Sequence, residues 1–127
     1  MKYVYPVVFE DDDGKIGVSV PDIPGCYSFG DDMAEAILMA EDAIAMMLVE
    51  YENAGQSVPV ASSISDIKTD GIVSLVLADT EKWRKQFDNK AVKKTLTIPS
   101  WLNSLAEKAG LNFSQVLQEA LQTKLVL

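Results

Sequence analysis

Hydrophobic and polar positions change their rhythm several times along this chain, and each change marks an element. Tyr3 to Phe9 and Ile16 to Val20 are short runs rich in aromatic and β-branched residues, the signature of strands. Between them lies Glu10-Asp11-Asp12-Asp13-Gly14-Lys15, whose Asp-Gly pair suits a tight hairpin. Asp22-Ile23-Pro24-Gly25 forms a second turn cluster, and Cys26-Tyr27-Ser28-Phe29 a third short strand. Gly30-Asp31-Asp32 closes it, and either aspartate can cap the next helix. From about residue 32 to 54 the period becomes helical, with Met33, Ile37, Ala40, Ile44, Met47, Leu48 and Tyr51 on one broad face and Gly55 as the stop. Residues 56–70 read as a connection, and Ile72 to Leu77 as a fourth strand. The first module is thus β-β-β-α-β.

The stretch from Asp79 to Ala91 is polar apart from Trp83 and Phe87, whose i,i+4 spacing could support a short helix. It is treated as a linker, over 81–91, between a first module at 1–80 and a tail at 92–127.

The tail follows a strict order. Lys93, Thr95 and Thr97 alternate with Lys94, Leu96 and Ile98, which gives one strand two opposite faces. Pro99 suits the first turn of a helix, with Trp101, Leu102, Leu105, Ala106 and Ala109 on its buried side and Gly110 as a left-handed stop. Asn112-Phe113-Ser114-Gln115 has the form of a capping box, and Val116, Leu117, Ala120, Leu121 and Leu125 form the stripe of a second helix. A lone strand leaves its backbone groups unpaired. Paired with a copy of itself it becomes a two-stranded ribbon narrow enough for the major groove of DNA. A homodimer is therefore expected, its core formed by Leu96, Ile98, Trp101, Leu105, Val116, Leu117 and Leu121. That parity turns Lys93, Thr95 and Thr97 outward, where lysine can donate to guanine and threonine can meet thymine. The amides near Asn112, Phe113 and Ser114 are suited to hold a backbone phosphate.

Charge sharpens this division. The chain of 127 residues carries a net charge of −8. Residues 1–89 hold six basic against seventeen acidic side chains, whereas residues 90–127 hold five lysines against Glu107 and Glu119. An acidic body with a basic tail suggests two modules with different partners.

Catalysis is not expected. The chain has no histidine, which removes the usual general base and commonest metal ligand. Two-metal nuclease chemistry needs carboxylates clustered on adjacent strands, and Glu10, Asp11, Asp12 and Asp13 read instead as a solvated turn. Asp31 and Asp32 read as helix caps, and the methionines Met33, Met39, Met46 and Met47 as core filling. Cys26, the only cysteine, reads as a small buried hydrophobe; with no internal disulfide possible, a reducing cytoplasm fits. The longest strictly apolar run, Ala43 to Val49, is too short to span a membrane. No metal and no cofactor is expected.

The tail resembles a ribbon-helix-helix DNA-binding domain over about residues 90–126, opening with Lys93-Lys94-Thr95-Leu96-Thr97-Ile98-Pro99. That likeness makes Lys93, Thr95 and Thr97 the base-contacting residues and implies a palindromic operator, often filled by two dimers side by side. The first module resembles the HicB family of antitoxins through Tyr3-Val4-Tyr5-Pro6-Val7-Val8-Phe9, Val18-Ser19-Val20-Pro21-Asp22-Ile23-Pro24-Gly25-Cys26 and Ala34-Glu35-Ala36 with Glu41-Asp42-Ala43-Ile44. The resemblance implies a degenerate RNase H-like fold at 1–80 that blocks a HicA-type toxin, a small basic mRNA-cleaving protein, and a tail that represses the operon. The acidic charge of the first module is compatible with a basic partner. The alternatives are a free-standing ribbon-helix-helix regulator whose first module senses a small ligand, and a weak metal-dependent nuclease using the acidic turn.

Overall fold

The computed structural model describes all of residues 1–127 and divides the chain into two compact units, Met1–Lys90 and Ala91–Leu127. The first is a four-stranded antiparallel sheet with helices; the chain as a whole is a mixed α and β fold.

Strand β1 (Lys2–Asp12) pairs with β2 (Lys15–Ser19), β2 with β3 (Tyr27–Gly30), and β1 on its other side with β4 (Ile72–Asp79), giving the order β3-β2-β1-β4. The hairpin turns on Asp13 and Gly14, both at positive φ (54° and 87°), with Asp12 paired to Lys15. A two-residue turn of this hand matches the twist of its strands, which explains the Asp-Gly pair. Glu10, Asp11 and Asp12 belong to β1 and not, as their composition predicts, to the turn. Pairing with Gly17, Ile16 and Lys15 extends the ladder to the turn itself.

Helix α1 (Met33–Asn53) lies against one face of the sheet. The Asp32 carboxylate caps it by accepting the Glu35 amide at 2.8 Å. It ends on Ala54 and Gly55 (φ 67°), with the Gly55 amide bonded to the Glu52 carbonyl and the Gln56 amide to that of Tyr51. This is the left-handed closure that glycine permits. The core joins Tyr5, Val7 and Phe9 of β1 and Val76 and Ala78 of β4 to Ala36, Ala40, Ile44 and Leu48 of α1. The helical period predicts Ile37 on this face, but it is 39% exposed. The buried line runs through Ala36 and Ala40, and one residue along a helix turns about 100° away from it. Small side chains occupy the line because α1 approaches β3 closely: a Cβ on Gly30 would stand 2.4 Å from the Ala36 amide nitrogen.

Residues 79–91 are not merely a linker. Thr80–Phe87 form α2, capped by Asp79, whose carboxylate accepts the amides of Glu81 and Lys82. Thr80 is buried and Trp83 packs on the core, so the helix belongs to the first unit.

In the second unit, α3 (Ser100–Lys108) and α4 (Phe113–Leu125) flank Gly110 at φ 70°. The Leu111 amide bonds back to the Ala106 carbonyl, the same closure that ends α1. Pro99 occupies the N-cap position, one residue ahead of the first turn. Asn112 caps α4 by accepting the Gln115 amide, but the expected capping box is half made. Gln115 turns its side chain along the helix to Glu119 instead. Residues 88–99 form no strand within the single chain. Any ladder on Val92–Ile98 would need a second strand, and the chain offers none there.

Candidate functional site

The residues assigned to DNA and dimer contact all lie in the second unit. Lys93, Thr95 and Thr97 are exposed in the stretch ahead of α3. Asn112, Phe113 and Ser114 gather at the start of α4, where Asn112 Oδ1 is occupied by the Gln115 amide and Ser114 Oγ accepts from Gln118 Nε2. Of the first-turn amides, which have no partner inside a helix, that of Gln115 is thus satisfied by the cap.

The apolar set is placed differently from the expectation of a buried side. Leu96 is 63% exposed and Trp101 65%, and neither α3 nor α4 contains a buried residue. Ile98, Leu105, Val116 and Leu121 are also exposed, and Leu117 is half-buried. Two short helices from one chain cannot enclose a core of this size. These side chains can leave water only against another surface.

The first unit closes its own core and carries a polar knot that the sequence did not suggest. Glu52, near the end of α1, accepts the Tyr3 hydroxyl at 2.7 Å and that of Thr80 at 3.0 Å, and receives the Arg84 guanidinium at 3.2 Å. Burial alone would raise the Glu52 carboxyl, but these three donors, with the charge of the N-terminal ammonium, outweigh it and hold it below the ordinary glutamate range. The same hydrogen bond pushes the Tyr3 hydroxyl up to about 12. At the turn after β2, Asp22 accepts both the amide and the hydroxyl of Ser62, while Tyr5 donates to the Pro59 carbonyl. These bonds tie the connection of residues 56–70 to the sheet. The first module's acids therefore serve as caps and braces at Asp22, Asp32, Glu52 and Asp79. No three His, Cys, Asp or Glu side chains meet in a group able to hold a metal ion. Cys26 is buried, and burial pushes its thiol up. No helix is long and apolar enough to cross a membrane.

A family model for the HicB-like antitoxins of bacterial toxin–antitoxin systems matches residues 5–120. The chain belongs to this family. Among its relatives, an uncharacterized 14.9 kDa protein from the rep-hol intergenic region of Haemophilus phage HP1 is 36% identical over 104 residues, 78% of this chain and 75% of that one. A chain from a toxin–antitoxin complex of Streptococcus pneumoniae superposes with a TM-score of 0.62 at 26% identity, covering 98% of this chain and 99% of that one. The antitoxin HicB of Burkholderia pseudomallei gives 0.55 at 26% identity, covering 93% and 95%. The HicB-like match runs through both units. It includes α2 as well as α3 and most of α4, so the family pattern is that of the two units together.

Proposed function

We propose that this chain is the antitoxin of a two-protein pair, acting in the cytoplasm by binding and not by catalysis. The first unit, a degenerate RNase H-like module, captures and blocks a HicA-type mRNA-cleaving toxin. The second unit pairs with its copy as a ribbon-helix-helix dimer and represses the operon at a palindromic operator, either as one dimer or as two side by side.

The observation that carries this reading is the contrast between the units. Residues 1–90 bury a core of their own, whereas residues 91–127 bury none of their apolar side chains. A unit of under about 40 residues without disulfide or metal ordinarily gains its stability by association. Ribbon formation supplies the missing surface: Leu96 and Ile98 turn into the shared core with Trp101, Leu105, Val116, Leu117 and Leu121. Lys93, Thr95 and Thr97 are left for base edges, with the amides at Asn112, Phe113 and Ser114 for phosphate. The acidic first unit, with seventeen acids against six bases in residues 1–89, would attract a small basic RNase over several ångströms.

The test is co-expression with a HicA-type toxin, sought first in the reading frames adjacent to this one, followed by pull-down and a gel shift on the upstream promoter. Co-purification, loss of the partner's RNase activity and a shift by the full chain are expected. Capture with no promoter binding would remove the repressor half of the reading. Promoter binding with no capture would leave a regulator that is not an antitoxin.

A further inference from the structure

Strand β4 ends the sheet, with β1 as its only neighbour. Its eight residues, Ile72-Val73-Ser74-Leu75-Val76-Leu77-Ala78-Asp79, pair with β1 in unbroken register, so no bulge bends the outer edge away. Proteins that leave such an edge in water normally guard it with lysine, proline or a bulge, and here the first charge is Asp79 at the very end. Leu75 and Leu77 are 53% and 52% exposed. Beside this edge lies a cleft of about 450 Å³, walled by α1 and α2. Leu38 on α1, Leu77 on β4 and Trp83 on α2 supply its apolar surface. Glu41, Asp42 and Asp79 line it together with Lys2 and Lys82.

We propose that the edge of β4 and this cleft receive an extended, basic segment of the partner protein as a fifth strand of the sheet. The inference rests on the antitoxin reading and names the surface that performs the capture. Main-chain bonds to β4 would supply affinity, and alternate side chains the selectivity. One parity of the added strand would be apolar against Leu75 and Leu77. The other would carry lysine or arginine towards Glu41 and Asp42, its aliphatic stem lying along Leu38 and Trp83. A second copy of this chain is the weaker occupant. Pairing two β4 edges would bring two strongly acidic units, with both sets of Glu41, Asp42 and Asp79, within a Debye length of about 10 Å.

The experiment uses the full-length chain and, as probe, the purified HicA-type toxin that the co-expression test identifies. Leu75→Lys, Leu77→Lys and Asp42→Lys variants are checked for folding by circular dichroism, then titrated calorimetrically. At least a tenfold loss of affinity is expected for each, with promoter binding unchanged. In the wild-type complex, hydrogen exchange should slow at β4 amides, a readout independent of whether any variant folds. Wild-type capture with unaltered affinity in the folded variants, or with no added protection on β4, would overturn this surface and leave the antitoxin reading standing. Absence of wild-type capture would overturn that reading itself. A self-assembly of the free chain that Leu77→Lys dissolves, with capture unchanged, would assign the edge to a second copy and overturn the proposal.

Discussion

The Tyr3 hydroxyl donates to the Glu52 carboxylate at 2.7 Å across 49 residues of sequence, joining the first strand to the end of α1. Thr80 and Arg84 converge on the same carboxylate, so α2 is fastened to the unit at this point. Removing the donor should loosen all three elements.

Tyr3→Phe is expected to cost about 1 kcal/mol at pH 7, the ordinary worth of one hydrogen bond. Both groups shape its pH dependence. Glu52 titrates below its unfolded value, so its contribution is present above about pH 4.5 and lost as pH falls through the lower folded value. Tyr3 is raised from 10.0 to about 12, so its contribution holds below pH 10 and is lost as pH rises towards 12. Urea midpoints at pH 3, 7 and 11 should therefore show the largest gap between wild type and variant at pH 7. An equal gap at pH 3 would remove the Glu52 charge from the account.

Gly30→Ala should destabilise the first unit by about 1–3 kcal/mol, the usual cost of overpacking. The added Cβ would meet backbone, at 2.4 Å from Ala36 N and 2.7 Å from Ala36 Cα, and backbone cannot rotate aside. Thermal unfolding measures this directly. A variant as stable as wild type would mean that β3 and the start of α1 are free to separate.

Local chemistry made much of this fold readable. The Asp13-Gly14 pair announced its hairpin because the turn needs positive φ at both residues, and the Asp31-Asp32 pair announced a cap, which Asp32 makes by accepting the amide three residues on. What depends on distant partners was not readable. Glu52 looks like any exposed helix acid until Tyr3, Thr80 and Arg84 are brought to it. Trp83 read as linker because its packing partners lie in the folded core. Leu96 and Trp101 show the opposite limit: their pattern was plain, but the second unit by itself leaves both of them exposed.

Cys26 should resist thiol reagents. Its side chain is 2% exposed and burial pushes the thiol up, so little reactive thiolate forms at neutral pH. Labelling by an aromatic disulfide should proceed at the rate set by opening of the first unit and accelerate sharply in urea. Fast labelling under native conditions would show that the turn at Ile23-Pro24-Gly25 opens locally.

The parity of the tail can be decided by comparing neighbouring substitutions. If Leu96 and Ile98 face the shared core, Leu96→Lys should place a charge inside it, giving a monomer that no longer binds the promoter but still captures the toxin. Lys93→Ala and Thr95→Ala should leave the dimer intact and weaken promoter binding, by about 1–3 kcal/mol for a well-made base contact. Lys93→Ala should also lower the salt dependence by less than one full phosphate contact if the lysine reaches a base, and by about one unit if it reaches only phosphate. Sedimentation and gel shifts at two salt concentrations separate these outcomes. A dimer preserved in Leu96→Lys and lost in Thr95→Ala would reverse the two faces of the strand, and with them the assignment of every contact in the second unit.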